Sequence, residues 1–370
     1  MKSILRVTLV TLLSVYSCIA YARKPKPVII GYVGGYRGLV NTDQIDATKL
    51  THINYAFIDV KDHRAWLHNE RTDTTNFRTL NLLKQKNPDL KILISIGGWS
   101  WSENFSDAVL TDTARKAFVE SAVGIIAQYN LDGVDIDWEY PGMQGEQGNV
   151  YRPEDKENYT LMFRELRLEL DTLQQQTGRK YLLTTAVGGF EQFLHHSEMG
   201  KAQQYLDYIN LMTYDYSWGV AGHHTNLYHS ASYENENSAN KAVTAFMAAG
   251  VPASKLVMGI AFYGRGSIVD STAKHPLHQK IVGTTHGGGY SYIKDSLVDQ
   301  QGYRSYWDKN AKAPYLYNET ERKFISYDNE RSVKYKCRYI KKKKMAGVMF
   351  WEYSSDPKGY LLTEINKELK

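Results

Sequence analysis

Eight short apolar or alternating segments recur along this chain, at residues 28–33, 53–59, 91–96, 133–139, 181–187, 208–214, 256–262 and 346–351, and each reads as a strand. Helical spacing fills several of the gaps. One pattern opens at Asp112 and turns Phe118, Ala122, Ile125 and Ile126 to one side. A second follows Pro153 with Tyr159, Met162, Leu166 and Leu173, and a third holds Ala242, Val243, Phe246 and Met247. Strand and helix alternating eightfold predict an α/β protein of the (β/α)8 TIM barrel type, with its chemistry at the C-terminal ends of the strands. The spacing breaks once, between Phe262 and Ala346. That stretch is rich in Tyr and Gly, contains His286-Gly287-Gly288-Gly289-Tyr290, and alternates around 315–317 and 323–327 like a small β-sheet. Its aromatic density argues for a packed surface rather than a disordered loop.

The fourth of these segments holds Asp135, Asp137 and Glu139, interleaved with Val134, Ile136 and Trp138. With a period of two, the acids share one face and the apolar residues the other. The apolar face suits covering helices, so the acids line a barrel interior or a cleft. Neighbouring carboxylates about 6.6 Å apart at an effective dielectric near 20 repel by roughly 2.5 kcal/mol, or about two pKa units. Such a row retains at least one proton near neutral pH and titrates as a coupled set. A carboxyl still protonated at working pH is what a glycosidase needs to protonate a leaving oxygen. The competing readings are a solvated surface strand and a divalent-metal site. Trp138 and Val134 weigh against the first, and the lack of a companion His or Cys cluster against the second.

The run from Asp132 to Glu139, with Gly133 among its acids, resembles the active-site signature of the family 18 glycoside hydrolases, the chitinases and their relatives. The similarity continues at Ser95-Ile96-Gly97-Gly98-Trp99, Met212-Thr213-Tyr214-Asp215, Phe262-Tyr263-Gly264-Arg265 and Met349-Phe350-Trp351-Glu352, in family order. The resemblance implies a barrel over residues 23–370, with a small α+β insertion at 266–335 between strands seven and eight forming one wall of a substrate cleft. It also implies substrate-assisted hydrolysis with retention, in which the 2-acetamido oxygen of the sugar attacks C1 and an oxazolinium intermediate forms.

On that reading Glu139 is the general acid and base, and Asp137 orients the acetamido N–H. Asp135, deepest in the row, shares a proton with Asp137. Asp132, of opposite parity, is structural. Tyr214 donates its hydroxyl to the acetamido carbonyl and Asp215 helps hold the sugar. Tyr32 and Ser95 hydrogen-bond the deepest aspartate, and Trp351 forms the floor beneath the distorted ring. Trp99, Phe57, Met212, Trp218, Tyr263 and Arg265 are further candidates for substrate contact. His223 is read as a hydrogen-bonder that fixes its loop.

The implied partner is chitin or its oligosaccharides, and no cofactor or metal is expected. A lectin-like binding protein of the same fold is the alternative, against which Glu139 argues. A hydrolase of other N-acetylglucosamine linkages, in peptidoglycan or N-glycans, is another, since the mechanism requires only the acetamido group.

Lys2 and Arg6, the largely apolar stretch 7–20 and the small residues flanking Tyr21 read as a secretory signal, residues 1–22, cleaved near Ala22. That apolar run is short for a membrane span. Export to the periplasm or the medium follows, with no stable membrane insertion. Loss of Cys18 with the leader leaves Cys337 without a disulfide partner. The net charge of +5 is modest and gives no reason to expect nucleic acid, the run Lys341 to Lys344 reads as a solvated helix face, and a monomer is expected.

Overall fold

The computed structural model describes residues 26–231, 233, 236–270 and 275–370, so the expected leader and its cleavage site at Ala22 lie outside the described residues. Eight parallel strands form the barrel: β1 (Val28–Gly34), β2 (His52–Lys61), β3 (Lys91–Gly97), β4 (Gly133–Asp137), β5 (Leu182–Gly188), β6 (Tyr208–Met212), β7 (Leu256–Ala261) and β8 (Gly347–Trp351). Each pairs with its neighbours in the chain, and β8 returns to β1 with Gly347 beside Val28, which closes the sheet. Closure removes the sheet edges and leaves every strand with an inner and an outer face.

The alternation of residue types follows those faces. Val28, Ile30, Ala56, Ala186, Met212, Val257 and Met349 pack together inside the barrel, while Ile29, Ile53, Val134, Ile136, Leu183 and Val348 pack outward under the helices. Trp138 stacks on Phe105 at 5.2 Å and meets Tyr159 edge-on, so the apolar half of the acidic row is buried against helices. The helix Asp112–Gln128 is capped by the Thr111 side chain, and Asp155–Thr177 ends at Gly178 in a left-handed conformation. In the helix Ala239–Ala248, Ala242, Val243 and Phe246 are buried as expected. Met247 instead is 41 % exposed, because one helical step carries it about 100° beyond Phe246 and off the buried stripe.

Between β7 and β8 the chain builds a separate five-stranded antiparallel sheet, ordered Ile281–Thr285, Arg265–Val269, Lys323–Ser326, Ala313–Asn318, Arg304–Asp308. A short helical segment at Tyr290–Tyr292 and Ile293–Leu297 sits beside it. The sheet ends at Ser326, and the helix Glu330–Lys343 then buries Val333, Cys337 and Ile340 against the barrel, so the last residues of the 266–335 span belong to a barrel helix. Lys341 and Lys342 of that helix are exposed. His223 meets Asp308 of the added sheet at 3.2 Å, which ties the loop after β6 to the insertion. No helix among the described residues is long and apolar enough to cross a membrane.

Candidate active site

Asp135 sits in the barrel interior with no exposed surface. Four side chains donate to it: Tyr32 (2.9 Å) and Ser95 (2.8 Å) to Oδ2, Thr184 (2.5 Å) and Asn210 (3.2 Å) to Oδ1. Burial pushes its pKa up, and the hydroxyl donors pull it back. Tyr32 and Ser95 were expected here. Thr184 and Asn210 were not, although both lie on the inward parity of their strands. Both oxygens of Asp135 are engaged by donors from other strands, while Asp137 Oδ1 is buried without a hydrogen-bond partner, and the Asp135 charge is one of those that raise the Asp137 carboxyl.

The strand was expected to run through Glu139, but it ends at Asp137. The reason lies in the neighbouring strand. Gly97 and Gly98 have φ of 107° and 78°, and a Cβ on Gly97 would stand 2.3 Å from the Asp137 carbonyl oxygen. This close approach lets Gly98 N–H donate to that carbonyl at 2.7 Å. Ser102 Oγ then accepts from the Glu139 N–H at 2.9 Å and donates to the Gly98 carbonyl at 2.8 Å, which turns Glu139 into the cleft. The glycines of the Ser95–Trp99 motif therefore act through backbone packing, and they place the acid.

Asp137 is 4 % exposed and Glu139 is half-buried. Burial, then the charges of Glu139 and Asp135, raise the Asp137 carboxyl well above its ordinary range. Burial and the nearby Asp215 charge push Glu139 up to about 7, against the hydroxyl of Tyr140. The two carboxyls thus hold a proton at neutral pH as a pair. Asp132, read as structural, lies at the opposite end of β4, where it accepts from Ile92 N and pairs with Lys84 and Arg179.

Strand β6 stops at Met212, two residues short of the expected end, and Tyr214 follows in the mouth of the barrel. Met212 lines the cleft. The Tyr214 hydroxyl reaches only the Met349 sulfur, at 3.8 Å, a weak acceptor that leaves the donor available to a ligand. Asp215 has φ of 59°, a left-handed conformation that Asp tolerates better than most residues. Burial alone would raise its pKa, but the Arg265 fork, bonded through Nε at 2.7 Å and Nη2 at 2.6 Å, and the His224 ring together hold it far below the usual carboxylate range. Tyr263 donates to the same carboxylate at 2.8 Å, and the Trp218 indole, 76 % exposed, donates to the Asp215 carbonyl.

Trp351 lies nearly parallel to Phe57 (5.3 Å between centroids, 16°) and to Tyr36 (6.4 Å, 4°), and tilts against Tyr32. These rings border one cleft of about 1600 Å³ over the acidic row. Trp99 also lines it, with Tyr140, Phe190 and the insertion residues Thr284 to Gly289. All the site residues expected from the sequence line this cleft except Ser95 and Asp135, which support it from below. Tyr36, Arg37, Tyr140 and Glu352 were missed. Tyr36 and Arg37 belong to a short 3-10 turn with no periodic signal, and Arg37 pairs with the buried Glu352 at 3.0 Å. Among the described residues no group of three or more His, Cys, Asp or Glu side chains could hold a metal ion.

The family model for glycosyl hydrolases family 18 matches residues 28–356. Chitinase A1 of Niallia circulans is 37% identical over 92% of this chain, which spans 58% of that protein's length. Chitotriosidase-1 of Mus musculus is 31% identical over 84% of this chain and 68% of its own. Among solved structures, a family 18 N-acetylglucosaminidase from Paenibacillus barengoltzii superposes with a TM-score of 0.86 at 41% identity, covering 93% of this chain and 100% of that one. Chitinase ChiA74 from Bacillus thuringiensis gives a TM-score of 0.88 at 34% identity, over 93% of this chain and 70% of its own. The match spans every barrel strand, the acidic row and the added sheet, and the chain belongs to the glycosyl hydrolases of family 18.

Proposed function

We propose that this protein is a chitinase that hydrolyses β-1,4 linkages between N-acetylglucosamine units with retention, using the substrate's acetamido group as nucleophile. The observation that carries this reading is the buried Asp137 carboxyl beside Glu139 and a Tyr214 hydroxyl with only a sulfur partner, above an aromatic floor. Trp351 and Phe57 offer flat apolar faces to the C–H face of a pyranose. Tyr214 donates to the acetamido carbonyl and turns its oxygen toward C1. Asp137 accepts from the acetamido N–H and offsets the positive charge of the oxazolinium. Glu139, protonated near neutral pH, gives its proton to the glycosidic oxygen as the bond breaks. The resulting carboxylate takes a proton from the water that opens the ring, which restores the starting state.

Early proton NMR of the products tests this. The new reducing end is expected to appear first as the β-anomer, and a chitin oligomer deacetylated at the cleaved position is expected to bind yet hardly react. Initial α-product, or equal cleavage of the deacetylated oligomer, would overturn it. One observation favours a second reading, exo-acting release of single N-acetylglucosamine units. The neighbour named an N-acetylglucosaminidase is matched over its whole length, at 41% identity. Product profiles from chitin oligomers, peptidoglycan and a glycoprotein separate chain cleavage, exo-action and hydrolysis of other N-acetylglucosamine linkages. Export after cleavage near Ala22 and a monomeric state belong to the same proposal.

A further inference from the structure

Oδ1 of Asp135 is held by two side chains from other strands of the barrel, Thr184 on β5 and Asn210 on β6. Asn210 spans the site, since the same Nδ2 also donates to Tyr32 Oη at 3.2 Å. An amide nitrogen can only donate, and a donor to Oδ1 favours the carboxylate, the better acceptor, over the neutral acid. Thr184 Oγ1 at 2.5 Å adds a short hydroxyl contact to the same oxygen. Both side chains are fully buried, so water cannot substitute for either. The charged and titratable groups facing Asp135 are Tyr32, Tyr159, Tyr214 and Asp137, with no cation among them. What favours the anion on Asp135 is therefore donated hydrogen bonds rather than an ion pair.

We infer that Thr184 and Asn210 are positioning residues that keep Asp135 a fixed anion, and so confine the proton of the acidic row to Asp137 and Glu139. The inference rests on the proposed roles of those two carboxyls. Without the Oδ1 donors Asp135 competes for that proton, and the row reaches its reactive protonation state only at higher pH. The sign follows from the loss of donors to a carboxylate, which raises its pKa.

The test is the pH profile of kcat/KM for Thr184→Val, which keeps the shape and removes the hydroxyl, with Thr184→Ser as the rescue. The acid limb is expected to move up by about one pH unit in the Val variant, the scale of one charge-assisted hydrogen bond, and to return in the Ser variant. If the Val variant does not fold, Asn210→Leu carries the same expectation, because it removes the other donor to Oδ1. A folded variant that loses turnover with both limbs unmoved would make these residues merely structural and overturn the inference. Glu139→Gln, run alongside, separates the two levels. Retained turnover there removes the underlying mechanism, whereas an inactive Glu139→Gln with an unmoved Thr184→Val profile removes only this inference.

Discussion

At the scale of the residue, Glu139 shows what burial costs and why it is tolerated. Its carboxyl titrates at about 7 in the folded protein against an ordinary 4.5. A group raised in this way supports folding fully below about pH 4.5 and loses that contribution as pH rises through 7. Glu139→Gln has no such titration. It is expected to lose most turnover while still binding oligosaccharide, and to gain stability over the wild type between pH 4.5 and 7, by roughly 2 kcal/mol after allowance for its partial exposure. Melting curves across that range check the second half; parallel curves would mean that the acid is not desolvated. Asp137→Asn removes the carboxyl that titrates together with Glu139, so the residual activity should show a displaced pH profile; an unchanged profile would mean that the two do not titrate as a pair. For Tyr214→Phe we expect kcat on acetylated substrate to fall by about 10²-fold, the effect of one oxyanion-type donor. Its melting temperature should hardly move, since the hydroxyl has only a sulfur partner.

At the scale of the element, the junction of β3 and β4 decides where the acid stands. A methyl group at position 97 would collide with the Asp137 carbonyl at 2.3 Å, and the backbone there is already left-handed. Gly97→Ala is expected to cost about 2–4 kcal/mol of stability and to reduce kcat more than it raises KM, because the displaced backbone carries Glu139. Ser102→Ala breaks the same support from the other side, leaving the Glu139 N–H without its acceptor. Denaturant titration and steady-state kinetics on the pair separate loss of folding from loss of alignment. Unchanged kcat in both would show that Glu139 does not depend on this support. The strand periodicities were readable because they follow from pleat geometry, but the strand ends were not. Glu139 and Tyr214 fall beyond the last ladder pairs, and for Glu139 that boundary is set by glycines and a serine from another segment.

At the scale of the molecule, the barrel and the insertion make one cleft from distant parts of the chain. The wall from Thr284 to Gly289 is fastened by Gly287 against the Gly264 carbonyl, where no side chain fits, and by the bond from Gly264 N to Gly288 O. Replacing the turn His286–Gly289 by a shorter link should weaken binding of long oligomers more than that of short substrates, with the melting temperature little changed; KM across oligomer lengths measures this.

The sequence by itself determined the strand and helix order, the sidedness of each strand and the acidic row, because these depend on local period and residue chemistry. It also pointed to Tyr32 and Ser95 beneath that row. Only the tertiary structure decided that Asp135 is held by Thr184 and Asn210, that Arg37 pairs with Glu352, and that burial raises the carboxyls of Asp137 and Glu139. Those outcomes depend on which residues of different strands meet across the closed barrel. They also depend on how far each charge is removed from water, and neither quantity is a property of a residue's neighbours in sequence.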